Sequence, residues 1–443
     1  MRLNEDTHML FILTALLFGY NLFSNPPAQQ PGQPRMFTGL SHRIFGPQSQ
    51  GKKILILYSD GGSCHKSATQ AIKERLAGSP YQIATVNFFE EIAQEIDPVK
   101  ALTLGYMSGE DIYNKMLRRG WNSLVNYMAL KIAPVLIKWS DEDLKNLSKE
   151  YFKQSEADII ISTIPIINHG AAIAAQELGI PYILLTLDCE LATWLLDFDQ
   201  PDFYEKMYIT VWYDNQKIRE RLAQYFVPEE NIRCLGFPVR KQFFEKKDVA
   251  ELKKKYSIPP DKFVVMLMMG GNGNIGVYRY AKRLMGLDIP VHIIACTGKN
   301  DRLARRVKRL KAREKEPVSL TVLEFTPNIS DIMALSDLLV TKPGPGTINE
   351  SLLFELPVLI DAGGTPLFWE KPHIDFIKDN NYGASFTDID ELEALVREYA
   401  QTSRSERHAI YHNKEAIAPV LSTKKLVNLI EEALSNSEES LIS

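Results

Sequence analysis

The stretch Leu339–Ile360, LVTKPGPGTINESLLFELPVLI, decides how the rest of the chain is read. An apolar run enters a turn punctuated by Gly and Pro. A helical pattern follows, with Ile348, Leu352 and Leu353 on one face, and Pro357–Ile360 is a second short apolar run. The order is strand, tight loop, helix, strand. Thr347-Ile-Asn-Glu350 has capping-box spacing, in which the Thr347 hydroxyl satisfies an orphan amide and Glu350 reaches back. Gly344 and Gly346 leave the backbone bare before the helix, so amides and the positive end of the helix dipole face one space. Two uses are open: a structural cap, or a diphosphate cradle to which Lys342 adds a point charge.

Outward from this unit the alternation continues. Ile54–Tyr58, Tyr81–Asn87, Asp158–Ser162, Tyr182–Leu187 and Tyr208–Val211 read as strands. Helices are predicted after the loop Asp60–His65 and over Asp111–Leu136, Asn168–Leu178 and Gln216–Tyr225. Gly236-Phe-Pro-Val-Arg240 breaks the series. It restarts with Lys262–Met269, the glycine-rich Gly270–Gly276, a helix over Val277–Leu287, and strands Val291–Cys296, Leu320–Glu324, Leu338–Val340 and Val358–Ile360. This spacing predicts an α/β chain with parallel sheets covered on both faces. The expected organisation is an apolar segment and Pro/Gln-rich linker over 1–35, Rossmann-like domains over 36–235 and 236–417, and a helix and tail over 418–443.

A chain of 443 residues, 45% hydrophobic, is long enough for two cores. Its 51 basic and 55 acidic side chains leave a net charge of −4, which gives no drive toward nucleic acid. Cys64, Cys189, Cys234 and Cys296 are far apart, with no zinc-finger spacing, which suits a reducing compartment. Lys299–Glu316 carries nine Lys/Arg against three Asp/Glu, either a solvated helix face or a patch for anionic lipid. There is no paired-carboxylate DxD signal in a glycine-bounded site, and Asp97, Asp141 and Asp143 lie in polar turn regions and need no role beyond solubility. Met9–Phe18 is apolar apart from Thr14, and apolar character resumes at Tyr20, Leu22 and Phe23. That is short of the roughly 20 residues a span needs, and Glu5 and Asp6 spoil a signal peptide's basic start. A membrane-associated segment is expected, with a signal peptide or a buried helix as alternatives. Trp121, Tyr127 and Met128 read as packing groups, or as a lipid-facing surface.

Two further loops follow strands, where open α/β sheets place ligands. Ser59-Asp-Gly-Gly-Ser-Cys-His65 has neither Walker nor dinucleotide spacing. His65, at a helix start, is either a loop histidine or a general base of suitable pKa, held neutral by the helix dipole. Met269-Gly-Gly-Asn-Gly-Asn-Ile-Gly276 can form an anion nest, with Asn272 and Asn274 tolerating left-handed angles.

Taken together, Thr341-Lys-Pro-Gly-Pro-Gly-Thr-Ile-Asn-Glu350 with Leu356-Pro357 resembles the nucleotide-sugar segment of the monogalactosyldiacylglycerol synthase and processive diacylglycerol glucosyltransferase family, relatives of the MurG-type enzymes. Ser59, Asp60, Gly62, His65 and Lys66 fit that family's S-D-x-G-G-G-H segment, with Ser63 and Cys64 replacing glycines. The resemblance implies GT-B architecture over about Lys52–Ile417, two Rossmann-like lobes facing an interdomain cleft, the first on the acceptor side. It implies a UDP-sugar as co-substrate, no other cofactor and no metal, and hexose transfer with inversion to diacylglycerol or a related lipid acceptor. His65 and Asp188 take the catalytic roles. Gly346 and Thr347 face the diphosphate and Glu350 the ribose. Lys342, Gly344, Gly271, Phe325 and Thr326 complete the nucleotide side. Trp369, Glu370 and His373 meet the donor sugar, Trp369 and His373 standing where the family has Gln and Asn. Asp60, Gly62, Lys66, Glu190 and Trp194 lie on the acceptor side, where no histidine follows Asp188. Arg240 belongs to the hinge. The implied location is the cytoplasmic face of a membrane, with peripheral or anchored association. Rival readings are a non-catalytic UDP-binding scaffold and a nucleotide-sugar epimerase or hydrolase.

Overall fold

The computed structural model describes residues 39–46, 51–94, 96, 108–198, 205–402, 406 and 420–442. The apolar segment and linker expected over 1–35 lie outside them. Among the described residues there are two six-stranded parallel sheets. The first holds β1 (Lys53–Tyr58), β2 (Gln82–Asn87), β3 (Ile159–Ser162), β4 (Tyr182–Leu185), β5 (Met207–Val211) and β6 (Ile232–Cys234), in the order β2-β1-β3-β4-β5-β6. The second holds β7 (Phe263–Met268), β8 (Val291–Gly298), β9 (Ser319–Glu324), β10 (Leu338–Thr341), β11 (Val358–Asp361) and β12 (Gly383–Phe386), in the order β12-β11-β10-β7-β8-β9. This is the two-lobed α/β architecture expected.

Parallel strands covered by helices on both faces must be apolar throughout rather than alternating. Ile54–Leu57 in β1 and Val264–Leu267 in β7 are fully buried accordingly. Each such aliphatic side chain contributes about 1.5–3 kcal/mol on burial. Strand order reverses between β1 and β3 in the first sheet and between β10 and β7 in the second. A crevice opens beyond the carboxyl ends of the strands at such a switch point. The loops there are 59–63 and 163–167 in one lobe, and 269–275 and 342–344 in the other.

The helix Thr423–Ile442 packs Leu426, Leu429 and Ile430 into the first lobe's core. Asn436 Nδ2 donates to Tyr208 Oη at 2.9 Å, and Arg233 pairs with Glu432. The chain therefore leaves the second lobe and closes back on the first.

Three expectations need correction. Asp111–Leu136 is not one helix. Gly109–Arg119, opened by a Ser108/Asp111 capping box, ends at left-handed Gly120, and Asn122–Tyr127 follows. A wider turn over Met128–Ile132 leads into Ala133–Ser155. Short edge strands β6 and β12 were unmarked, since three or four residues carry little periodic signal. Asp141 sits inside the Ala133–Ser155 helix and holds His169, Oδ2 to Nδ1 at 2.7 Å, a role beyond solubility.

Candidate active site between the lobes

His65 is the second residue of the helix Cys64–Leu76, which follows β1 at the first switch point. Its Nδ1 lies 2.6 Å from the Thr163 carbonyl at the end of β3. A carbonyl only accepts, so Nδ1 carries the hydrogen and Nε2 keeps a free lone pair. Burial lowers the imidazole pKa, against the raising effect of the Thr163 carbonyl. His65 is thus a neutral, oriented imidazole, its pKa lowered by burial.

Asp188 follows β4 on the same sheet edge. Burial raises its pKa to about 7, against the hydrogen bond from Trp194 Nε1 at 3.2 Å, with the Glu370 charge adding to the rise. Trp194 is fully buried, so it orients Asp188 and does not itself face an acceptor. Its ring stands 6.1 Å from that of His65. Glu190 bonds the Ala192 amide and faces Arg221 at 3.8 Å. Lys66 is exposed and pairs with Asp60 at 3.1 Å, at the rim. Gly62, at φ 85°, donates its amide to Asn114.

The second lobe brings its loops against these groups. The helix after β10 is Pro345–Leu352, with Gly344 as N-cap and no side-chain cap bond. The Thr347/Glu350 capping box is therefore absent, because the helix starts before Thr347. Glu350 instead points to Arg240, whose Nη2 lies 2.8 Å from Oε1. Burial raises the Glu350 pKa and the Arg240 charge opposes the rise. Lys342 pairs with the buried Glu370. The Lys342 side chain also reaches the glycine turn after β7, its Cε 3.4 Å from where a Cβ on Gly270 would stand. In that turn the positive φ angles fall on Gly270 and Gly273, while Asn272 and Asn274 serve through their side chains. A Cβ on Gly273 would lie 2.0 Å from the Thr297 carbonyl, so close approach demands glycine there.

Ser63 and Cys64 of the first lobe approach these turns. A Cβ on Gly271 would sit 3.5 Å from Ser63, and one on Gly346 would sit 3.5 Å from Cys64 Sγ. Burial raises the Cys64 thiol pKa, reinforced by the Asp188 and Glu350 charges, so the group facing Gly346 is neutral. The two residues that depart from the glycine pattern thus border the second lobe's glycine turns.

One expected sugar contact is placed differently. His373 is fully buried, its ring stacked 6.0 Å from Trp212 and its Nδ1 3.1 Å from the Pro343 carbonyl, so it braces the 342–344 turn. Trp369 borders the first lobe's cavity and stands 6.5 Å from Tyr113. Phe325 and Thr326 lie at the end of β9, Phe325 57% exposed under Lys299. Glu110, Tyr113 and Asn114 went unmarked in the sequence, although all three border or hold the 59–62 loop. Their helical i, i+3, i+4 spacing was the only local signal.

A cavity of about 380 Å³ opens beside His65 and Asp188. Its walls are mostly apolar, including Phe89, Ile112, Met116, Met128, Ile132 and Ile137. Hydrogen bonds tie its roof to the second lobe: Asn126 Nδ2 donates to the Pro366 carbonyl and its Oδ1 accepts from the Phe368 amide, both at 2.9 Å.

Comparison with known proteins agrees with this fold. The profile of the glycosyltransferase family 28 C-terminal domain matches residues 277–360. The processive diacylglycerol beta-glucosyltransferase of Bacillus subtilis is 25% identical over 396 residues, 87% of this chain and 96% of its own. Monogalactosyldiacylglycerol synthase 2 of Arabidopsis thaliana is 24% identical over 408 residues, 86% of this chain and 81% of its own. The crystal structure of Acinetobacter baumannii MurG is similar in fold, with a TM-score of 0.57 at 14% identity over 86% of this chain and 99% of that one. The chain is a glycosyltransferase of GT-B architecture, similar in sequence to the processive diacylglycerol glucosyltransferase and monogalactosyldiacylglycerol synthase and in fold to MurG.

Proposed function

We propose that the chain transfers a hexose from a UDP-sugar to the hydroxyl of diacylglycerol or a closely related membrane lipid. The observation that carries this reading is the apolar cavity with His65 and Asp188 at its polar end, facing the glycine turns of the second lobe. Acyl chains fit such walls, and each methylene buried contributes about 0.8 kcal/mol. The acceptor hydroxyl is then held near His65 Nε2, which takes its proton as the oxygen attacks the anomeric carbon. UDP departs on the opposite side, so one displacement inverts the configuration. Gly346, Thr347 and the start of the Pro345–Leu352 helix meet the diphosphate, with Lys342 beside them. Glu350 takes the ribose hydroxyls, and amides fill the electrostatic part a metal ion plays elsewhere.

Access to the bilayer is proposed at the cavity's roof. Tyr127 and Leu130 are 52% and 48% exposed, next to the cavity-lining Met128 and Ala129 and the exposed Lys131 and Lys138. Aromatic, aliphatic and basic groups together suit the headgroup region of an anionic, cytoplasm-facing leaflet. No helix among the described residues is long and apolar enough to cross a membrane. Release of UDP from a panel of UDP-sugars, with diacylglycerol vesicles and EDTA present, tests the reading. Transfer is expected in EDTA. Epimerised or free sugar without glycolipid favours the rival enzymes, and UDP binding without turnover favours a scaffold.

A further inference from the structure

One face of the Gly109–Arg119 helix is built around the loop that carries His65. Glu110 Oε1 accepts from the Ser59 hydroxyl at 2.5 Å, the Asp60 amide at 2.8 Å and the Gly61 amide at 3.1 Å. Asn114 accepts the Gly62 amide at 3.1 Å, donates to the Asp60 carbonyl at 2.9 Å, and receives Asn272 Nδ2 from the other lobe at 3.3 Å. These two residues therefore have protein partners that fix the loop. Tyr113 lies between them on the same face, by the i, i+3, i+4 geometry of a helix.

The Tyr113 ring borders the cavity with His65, Asp188 and Trp369, and its Cδ1 is 3.9 Å from the Cβ position of Gly61. Its hydroxyl has no hydrogen-bond partner among the described residues. Burial raises the phenol pKa strongly, and the charges of Glu370, Asp188 and Cys64 raise it further. The group therefore stays protonated and offers a donor. A protonated phenol at the cavity wall without a protein partner is open to a ligand oxygen that accepts its hydrogen.

We infer that Tyr113 is a sugar-contacting residue, its hydroxyl hydrogen-bonding a hydroxyl of the hexose being transferred; this rests on the glycosyltransferase reading above. The sugar rather than the lipid is indicated by the company Tyr113 keeps. Its ring pairs with Trp369, at 6.5 Å and 31°, on the segment that Asn126 clamps by the Pro366 and Phe368 backbone. Glu370, next in that segment, is the carboxylate with the largest effect on it. A sugar hydroxyl both donates and accepts, so it can bridge a phenol donor and a carboxylate acceptor. The cavity's aliphatic walls offer an acyl chain no such need.

Tyr113→Phe in the full chain removes one hydroxyl and keeps the ring. Calorimetric titration should give unchanged affinity for UDP and about 3–10-fold weaker affinity for intact UDP-glucose or UDP-galactose. The donor kcat/KM should fall by at least that factor, with the lipid KM unchanged. Equal losses for UDP and UDP-hexose would mark a structural role and overturn the inference. So would unchanged UDP-hexose binding with a raised lipid KM. A wild-type protein that binds no UDP-hexose removes the glycosyltransferase reading itself. Wild-type binding that Tyr113→Phe leaves unaltered removes the Tyr113 assignment alone.

Discussion

Arg240 Nη2 stands 2.8 Å from Glu350 Oε1, joining the segment after the first sheet to the Pro345–Leu352 helix. The side chains are 23% and 11% exposed, so the pair is largely out of water. Removing one partner of such a pair leaves the other charge buried and uncompensated. Glu350 therefore has a structural duty beside the ligand-binding one proposed for it, and the two are separable by experiment.

Glu350→Gln keeps the shape and one acceptor oxygen but gives up the charge. Loss of a charge-assisted bond to ribose should weaken UDP by about 1.5–3 kcal/mol, roughly 10–150-fold. Calorimetric UDP titration beside thermal unfolding checks it. Unchanged affinity in the folded variant takes Glu350 out of the site.

Arg240→Met should destabilise the fold by about 3 kcal/mol at pH 8, since an unpaired Glu350 carboxylate remains. The Glu350 pKa is already raised by burial, and losing Arg240 raises it further. A raised folded-state pKa means the folded form takes up the proton more readily. The penalty is therefore present above that folded pKa and shrinks as pH falls. Urea unfolding at pH 8 and pH 5 should show the gap to wild type narrowing. A gap independent of pH would place the effect elsewhere.

His65→Gln should lower kcat by about 10²–10⁴-fold with UDP affinity preserved, because the proposed role of the imidazole is on the acceptor hydroxyl. A variant that loses UDP binding in proportion to kcat contradicts that division.

Asp188, held at about 7 against an ordinary 3.8, binds its proton more tightly when folded. Its contribution to stability is full below the unfolded pKa and is lost as pH rises through about 7. Asp188→Asn should therefore gain on wild type by about 1–3 kcal/mol between pH 6 and pH 9. The acid limb of kcat/KM near pH 7 should also vanish in any residual activity. A limb still near 7 in the variant assigns the titration to another group.

Leu130→Glu with Tyr127→Ser places charge and polarity on the exposed roof without touching the cavity walls. Sedimentation with anionic liposomes should fall at least fivefold, by about 1 kcal/mol or more, while UDP affinity stays the same. Unchanged sedimentation leaves bilayer contact to the N-terminal segment.

Local chemistry made the two-lobe plan legible. Apolar runs of strand length, glycine turns after them and helical periodicity act over a few residues, so the sequence by itself determined the alternation and the loops at each switch point. Gly346, Thr347 and His65 could be picked out because turn and helix-start signals mark them. Only the tertiary structure decided which side chains meet. Arg240 and Glu350 are 110 positions apart, and Glu110 and Asp60 are 50. No spacing rule reaches that far. It also decided direction: His373 turned inward onto Trp212, Trp369 toward the first lobe's cavity, and Trp194 behind Asp188. Burial and strand order settle such choices, because a side chain takes its function from what the folded chain packs against it.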